Sequence, residues 1–197
     1  MSIMKGEQHA YLKIKYTLAR ILAGVIIVVI FPLLLFLLIL VSVDTFSCGI
    51  FVQDRVGQYG KIFRIYKFKT IRTVSREISN VGAFLRKTKL DELPQLFNIL
   101  KGEMSFIGPR PDVSGYYDGL KGEDRKVLIL KPGLLSEASL EYRNEEYLLN
   151  QKEDSLKYND EVIFPHKVKL NLEYLEKLSF KEDLRLLLKA CNIFFNR

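Results

Sequence analysis

Residues 86–112, RKTKLDELPQLFNILKGEMSFIGPRPD, place an acidic pair close to basic side chains and prolines. Asp91 and Glu92 stand just before Pro94, and proline is tolerated in the first turn of a helix, so the pattern predicts a helix start near Asp91. A helix N-terminus keeps a carboxylate ionised and also binds phosphate groups. The same pair is typical of plain helix capping, and the local sequence leaves both interpretations open.

Arg110 is held between Pro109 and Pro111. Proline fixes its own φ angle and pushes the preceding residue towards extended geometry, so the backbone at this position is stiff. A guanidinium presented from a stiff backbone suits bidentate recognition of phosphate. A simple surface turn explains the same pattern, and this alternative also stays open.

The charges near the acidic pair restrict its chemistry. A phosphate group about 4 Å from a carboxylate costs about 4 kcal/mol at an effective dielectric constant of about 20, so cations must offset that repulsion. Arg86, Lys87, Lys89 and Arg110 are close in sequence. A divalent ion would offset the rest, because Mg²⁺ takes one or two carboxylates together with substrate phosphates. Attack of a carboxylate on phosphorus is established chemistry.

An uncharged apolar run, Ile21–Val43, precedes this region. It is long enough to cross a bilayer core of about 30 Å and longer than the apolar part of a signal peptide, so it predicts a retained membrane helix. Pro32 near its middle indicates either one kinked span or a helix-break-helix that returns to the same side. Both flanks are basic, which favours a cytoplasmic location for both ends, but charge alone leaves both topologies open. The basic residues before the run are Lys5, Lys13, Lys15 and Arg20.

The remaining chain predicts a mixed fold dominated by helices. Residues 50–54 and 61–69 read as two strands of a hairpin, and residues 81–87 and 91–100 read as helices. Two apolar faces near the C-terminus predict amphipathic helices that lie on a membrane surface or pack on the domain. These faces contain Val168, Leu172 and Leu175, and Leu184, Leu187, Leu188, Cys191 and Phe195.

Composition indicates the class of partner. The net charge of +7 favours phosphorylated ligands or acidic lipids. Nucleic acid is not expected, since no base-reading motif accompanies the charge. The two cysteines, Cys48 and Cys191, have no CxxC spacing, and His9 and His166 are isolated, so neither a disulfide framework nor a histidine metal site is expected.

Three segments in this order resemble the bacterial sugar transferases, the monotopic phosphoglycosyl transferases. They are FVQDRVGQYGKIFRIYKFKT (Phe51–Thr70), LRKTKLDELPQLFNILKGEMSFIGPRP (Leu85–Pro111) and KPG (Lys131–Gly133), and they follow a proline-interrupted apolar helix. The resemblance implies an α+β, mainly helical monotopic membrane protein. Its parts would be a re-entrant N-terminal helix broken at Pro32, a short β-hairpin and interfacial amphipathic helices.

The resemblance also implies an activity. Such enzymes move a phosphosugar from a UDP-sugar to polyprenyl phosphate, typically undecaprenyl phosphate, at the cytoplasmic face of the inner membrane, and release UMP. By similarity, Asp91 is the nucleophile that forms a covalent intermediate and Glu92 holds Mg²⁺. Arg86 and Arg110 would contact phosphate or nucleotide groups, with Lys67 and Lys69 in the same basic site. The alternative function is a non-catalytic basic module, anchored in the membrane, that binds acidic lipids or recruits a partner.

The sequence departs from the family pattern in two places that concern the site. Asp112 follows GPRP where an apolar residue is common, and the loop Leu134–Glu146 lacks the usual run after KPG, although Arg143 and Asn144 remain as substrate-loop candidates. We expect three parts: 1–43 as the basic N-terminus and membrane helix, 44–165 as the cytoplasmic catalytic domain, and 166–197 as C-terminal amphipathic helices. A homodimer, the sugar and the pathway are left open.

Overall fold

The apolar run forms part of one long helix. The computed structural model describes residues 6–195, and Lys5 of the basic flank lies outside them. Helix α1 spans Gly6–Thr45 with Pro32 as an internal residue, so the predicted division into two helices is wrong at the level of secondary structure. Proline removes only one N–H donor, and the turns on either side keep their main-chain hydrogen bonds. The re-entrant path, which concerns the membrane, stays a prediction.

One narrow stripe of α1 is buried, and most of its remaining surface is apolar and exposed. Only 22% of its most apolar 18-residue window is buried, and by length and composition it is the one described helix that could cross a membrane. A soluble protein rarely leaves so much contiguous apolar surface in contact with water. The buried positions are Leu12, Lys15, Ala19, Ala23, Ile27, Leu34, Leu37, Val41 and Thr45. The exposed positions include Ile21, Leu22, Val25, Val28, Val29, Phe31, Leu33, Leu35, Phe36, Ile39 and Val43.

The predicted hairpin is confirmed. Strand β1, Ile50–Val56, pairs antiparallel with β2, Ile62–Phe68. A short 3-10 turn, Gln58–Gly60, connects them, and the Gly57 N–H donates to the carbonyl of Lys61 at 2.8 Å. Gly60 has φ of +78°, a left-handed conformation that glycine adopts at little cost, so its position in the turn follows from the backbone.

The two predicted helices after the hairpin are present, with different bounds for the second. Helix α2 spans Asn80–Thr88 and is capped by the Ser79 hydroxyl, and helix α3 spans Gln95–Lys101. The Asn98 side chain fixes α3 to β2, because its Nδ2 donates to the Arg64 carbonyl at 2.6 Å and its Oδ1 accepts from the Tyr66 N–H at 3.1 Å. The segment between α2 and α3 is thereby held against the hairpin.

A small parallel sheet positions the GPRP segment. Strand β3, Ser105–Ile107, pairs with β4, Gly133–Leu135. The two backbones approach so closely that a Cβ on Gly133 would lie 2.2 Å from the backbone nitrogen of Gly108, so only glycine fits there. The Gly133 N–H also donates to the Pro109 carbonyl at 2.8 Å. The KPG motif therefore supports the loop that carries Arg110.

The C-terminal half is helical. It contains 3-10 segments at Tyr117–Gly119 and Asp124–Ile129 and a π-helical segment at Asn159–Ile163. The α-helices are α4, Glu137–Glu141; α5, Glu145–Asn150; α6, Ser155–Tyr158; α7, Phe164–Glu176; and α8, Phe180–Phe195. With the long helix, the hairpin and the small sheet, this confirms a mainly helical α+β fold.

Helices α7 and α8 pack on the first turns of α1. Lys15 of α1 lies 2.8 Å from the carboxylate of Asp183 in α8, and Tyr174 of α7 donates a short hydrogen bond to the same carboxylate. All three residues are buried, so the ion pair is shielded from water and its partners hold the three helices in one arrangement. The proposed three-part division of the chain stays a prediction.

The two predicted amphipathic faces have different outcomes. Val168 and Leu175 are buried in the core, so the first face packs on the domain. In α8, Leu186 is fully buried, whereas Leu187 and Leu188 are exposed. The helix therefore packs through a face that the sequence pattern did not select, and its predicted apolar face points outward; the side chain of Phe195 lies outside the described set. A location of this face at a membrane surface stays a prediction.

Candidate active site

Asp91 and Glu92 lie in a 3-10 turn, Leu90–Glu92, and not in the first turn of α3 as predicted. Lys89 has φ of +59°, which ends α2 and redirects the chain into this turn. The Glu92 N–H donates to the Lys89 carbonyl at 3.2 Å, so helix-like hydrogen bonding already begins before Pro94. The prediction that the helix starts at Asp91 is therefore wrong, because α3 begins only after Pro94.

Asp91 is a buried carboxylate that is not fully paired. Its residue surface is 9% exposed, and its Oδ1 has no hydrogen-bond partner among the described residues. Burial, followed by the negative charge of Glu92, raises the pKa of Asp91, and Lys67, Lys89 and Arg86 act in the opposite direction. The net effect of the surroundings on the pKa of Asp91 is therefore opposite to the one expected from a helix N-terminus alone.

Glu92 is the anionic centre of the site. Arg110 binds both of its oxygens, with the Nη1–Oε2 distance at 3.3 Å and a shorter contact from Nη2 to Oε1. Lys67 Nζ lies 3.3 Å from Oε1. Burial disfavours the charge of Glu92, but Arg110 and Lys67 outweigh that effect and hold its pKa at about 2. Two adjacent carboxylates thus have pKa values shifted in opposite directions.

The oxygens of Glu92, the predicted Mg²⁺ ligand, already have cationic partners. Mg²⁺ needs free oxygen ligands, whereas both Glu92 oxygens already accept from cationic groups. Within residues 6–195, no group of three or more His, Cys, Asp or Glu side chains could hold a metal. The prediction that Glu92 holds Mg²⁺ requires Glu92 first to exchange these partners.

The structure brings some of the predicted basic residues to Glu92 and directs others elsewhere. Arg110, Lys67 and Glu92 are brought into contact, and Arg86 is close enough for its charge to favour ionised Asp91. Arg86 Nε donates to the Thr70 hydroxyl at 2.8 Å, which joins α2 to the end of the hairpin. Lys69 is directed to Thr73 instead, at 2.9 Å.

A cleft of about 1110 Å³ opens beside Glu92 and Arg110. Arg143 lines it, whereas Asn144 serves as the N-cap position of α5 and does not. The cleft has more basic than acidic lining groups, which suits an anionic ligand. The basic residues are Arg55, Lys87, Lys89, Arg110, Arg143 and Lys167, and the acidic residues are Glu92, Asp112, Glu145 and Glu146.

Sequence reasoning missed three parts of the cleft wall. Arg55 reaches it from β1, because the Val56 N–H donates to the Asp112 carbonyl at 2.9 Å and joins the hairpin to the GPRP segment. Lys167 of α7 lines it while paired with Glu145 at 2.6 Å, and Ala190 of α8 contributes an apolar wall. In the sequence, Arg55 is one of many basic residues that follow the apolar run, and no local pattern distinguishes it from the others.

The fold and site together define a class of protein that handles phosphorylated ligands at a lipid surface: it combines a long, exposed apolar helix with a basic cleft that Glu92 and Arg110 line. Residues 10–197 match the family model described as bacterial sugar transferase, and the chain belongs to that family.

Proteins from three bacteria are similar to most of the chain. An uncharacterized sugar transferase of Haemophilus influenzae is 30% identical over 93% of this chain and 41% of its own length. The undecaprenyl-phosphate galactose phosphotransferase of Salmonella typhimurium is 29% identical with the same coverage. The UDP-glucose:undecaprenyl-phosphate glucose-1-phosphate transferase of Klebsiella pneumoniae is 32% identical over 71% of this chain and 33% of its own length. The chain thus spans less than half of each of these relatives.

Proposed function

We propose that this protein transfers a phosphosugar from a UDP-sugar to polyprenyl phosphate through a covalent intermediate on Asp91. The observation that carries the proposal is the buried, incompletely paired carboxylate of Asp91, next in the chain to Glu92 and its partners Arg110 and Lys67. Glu92 and Arg110 line the basic cleft, whereas Asp91 lies behind them and is not a lining residue. The names of the Salmonella and Klebsiella relatives, which specify undecaprenyl phosphate, support the same substrate class.

The chemistry has two displacements at one phosphorus. An Asp91 oxygen forms a bond to the phosphorus that carries the sugar, the bond to the bridging oxygen breaks, and its electron pair leaves with UMP. An oxygen of polyprenyl phosphate then attacks the same phosphorus, and the electron pair of the Asp91–phosphorus bond returns to the carboxylate. Arg110 and Lys67 supply the positive charge that the phosphoryl oxygens need, and positioning carries much of the catalysis.

The lipid acceptor requires a site at a membrane surface, and α1 supplies the contact. We propose that its exposed apolar face lies in the cytoplasmic side of the inner membrane, with both helix ends on the cytoplasmic side. The core contacts of Leu34 and Val41 after Pro32 continue those of Ala23 and Ile27 before it, so both halves of α1 contribute to one hydrophobic cluster. This packing supports an arrangement in which neither half leaves the catalytic domain.

The activity is tested with full-length protein in detergent micelles or nanodiscs. A panel of UDP-sugars, polyprenyl phosphate and Mg²⁺ is supplied, and UMP release and a phosphosugar adduct are measured by mass spectrometry. Asp91→Asn should abolish both signals, whereas Asp54→Asn, an exposed carboxylate on β1, should leave them unchanged. An Asp91→Asn protein that still releases UMP would remove the proposed nucleophile.

Membrane topology is tested with two cysteines on either side of the apolar run. Cys48 is native and exposed, and His9→Cys adds an exposed thiol before the run, with Cys191→Ser removing the third. Labelling of both thiols from the cytoplasmic side is expected. Labelling from opposite sides would establish a spanning helix.

The alternative, a non-catalytic membrane module, has a different signature. It would give no UMP with any donor, while binding to vesicles would rise with their content of acidic lipid. The buried acidic pair of Asp91 and Glu92 argues against it, since attraction to acidic lipid needs no carboxylates.

A further inference from the structure

Arg55 carries features of an unassigned ligand-binding residue. Its side chain is 20% exposed, and its Nε is buried without a hydrogen-bond partner among the described residues. Only one guanidinium nitrogen is well bonded, Nη2 to the Gln53 side chain at 2.6 Å. A buried N–H donor without a partner costs free energy, so the buried Nε of this partly buried guanidinium, at the wall of a cleft, points to a ligand.

The charges around Arg55 show what kind of ligand is suitable. The nearest carboxylate oxygen, on Asp112, is 3.7 Å away, which is too long for a strong charge-assisted hydrogen bond. Arg110 lines the same cleft, and its positive charge, after burial, lowers the pKa of Arg55, with Asp112 opposing. Two guanidinium groups that line one cleft suit an anion with more than one phosphate.

We propose that Arg55 binds the phosphate of the donor that leaves with the nucleotide, while Arg110 binds the phosphate that carries the sugar. Arg110 contacts Glu92, the neighbour of the nucleophile, so it lies on the side of the phosphorus under attack. Arg55 instead lies beside Asp112, at 3.7 Å, and the described contacts join it neither to Asp91 nor to Glu92, so we assign to it the phosphate that is farther from the reacting carboxylate. The inference rests on the proposed function and assigns one more residue to it.

The chemical consequence concerns the leaving group. When the bond between phosphorus and the bridging oxygen breaks, the electron pair moves onto the departing phosphate, which gains negative charge. A guanidinium that binds this phosphate stabilises the charge as it develops. Arg55 would then contribute to nucleotide binding and to departure of UMP.

Binding of UDP and UMP in micelles, measured by titration calorimetry without any sugar donor, tests the assignment. Arg55→Gln should weaken binding of both nucleotides about tenfold or more, because it removes hydrogen bonds to a charged group. Arg64→Gln is the matched control: Arg64 is on the same hairpin, 75% exposed, and its replacement removes the same charge. It should bind both nucleotides as the unmodified protein does.

The possible outcomes distinguish the role of Arg55 from the proposed function as a whole. Unchanged UDP and UMP binding by Arg55→Gln, or an equal loss in Arg64→Gln, would overturn the role of Arg55 and leave the transferase proposal standing. Loss of UDP binding with normal UMP binding would overturn its assignment to the leaving phosphate. If the unmodified protein binds neither nucleotide, the proposed function itself fails. Arg55→Lys keeps the charge but not the fork geometry, and should weaken binding several-fold if Arg55→Gln does not fold.

Discussion

The ion pair between Glu92 and Arg110 should make a measurable contribution to stability. The ordinary pKa of a glutamate is 4.5, and the Glu92 value in the folded protein is about 2. Each unit of difference corresponds to about 1.4 kcal/mol, so the favourable interactions of ionised Glu92 amount to about 3 kcal/mol at pH 7. The Glu92 side chain is 12% exposed, but that of Arg110 is 43% exposed, so solvent screening of the guanidinium makes this an upper value. Glu92→Gln should lower the free energy of unfolding by at most this amount, and by more than the loss of a fully exposed pair.

The depressed pKa of Glu92 also predicts how its contribution to stability changes with pH. Because the folded-state pKa is depressed, the contribution is fully present above 4.5 and is lost as the pH falls from 4.5 through about 2. At pH 3 less than half of the contribution should remain, so the difference between the unmodified protein and Glu92→Gln should shrink by at most about 2 kcal/mol between pH 7 and pH 3.

Unfolding by denaturant in mild micelles at several pH values measures this difference. Glu123→Gln is the control, because Glu123 is 83% exposed in its pair with Lys126, and exposed pairs contribute about 0–1 kcal/mol. In a double-variant cycle, Glu92→Gln with Arg110→Gln should cost less than the two single changes together. A difference for Glu92→Gln that is below about 0.5 kcal/mol at pH 7, or that stays the same at pH 3, would refute the reasoning.

Three further predictions concern the proposed nucleophile and the packing of the fold. Because the pKa of Asp91 is raised above 3.8 and attack needs the ionised form, kcat/KM should fall as the pH drops, along a limb that lies above pH 3.8; a rate that stays constant to that pH would contradict this. Gly82→Ala should lower the Tm, since the new Cβ would lie 2.2 Å from a backbone oxygen, whereas Gly119→Ala, with open space, should not. Leu186→Ala should cost about 2–5 kcal/mol in denaturant unfolding, and Leu188→Ala, at an exposed position, close to nothing.

Local patterns in the sequence predicted several elements correctly. The hairpin followed from two short strand patterns separated by glycines, and its observed strands, Ile50–Val56 and Ile62–Phe68, differ from the prediction only at their ends. The long apolar helix and the family followed from composition and from motifs of contiguous residues. These features depend on neighbours in the chain, which is the information that a sequence pattern contains.

Two local predictions failed because a single residue was given too much weight. Pro32 does not divide α1, since one missing hydrogen bond is tolerated in a long helix whose flanking turns are intact. Pro94 does not place Asp91 in the first turn of α3, because the left-handed Lys89 starts a separate turn before the proline.

The sequence by itself determined which groups are available: an acidic pair, a stiff arginine, a basic hairpin and an apolar helix. Only the tertiary structure decided their partners: Glu92 with Arg110, Arg55 beside Asp112, and α8 as a wall of the cleft. The Val56–Asp112 main-chain bond illustrates the reason, because it joins segments that are far apart in the chain. The relative position of such segments is set by how the whole core packs, and no local propensity encodes it.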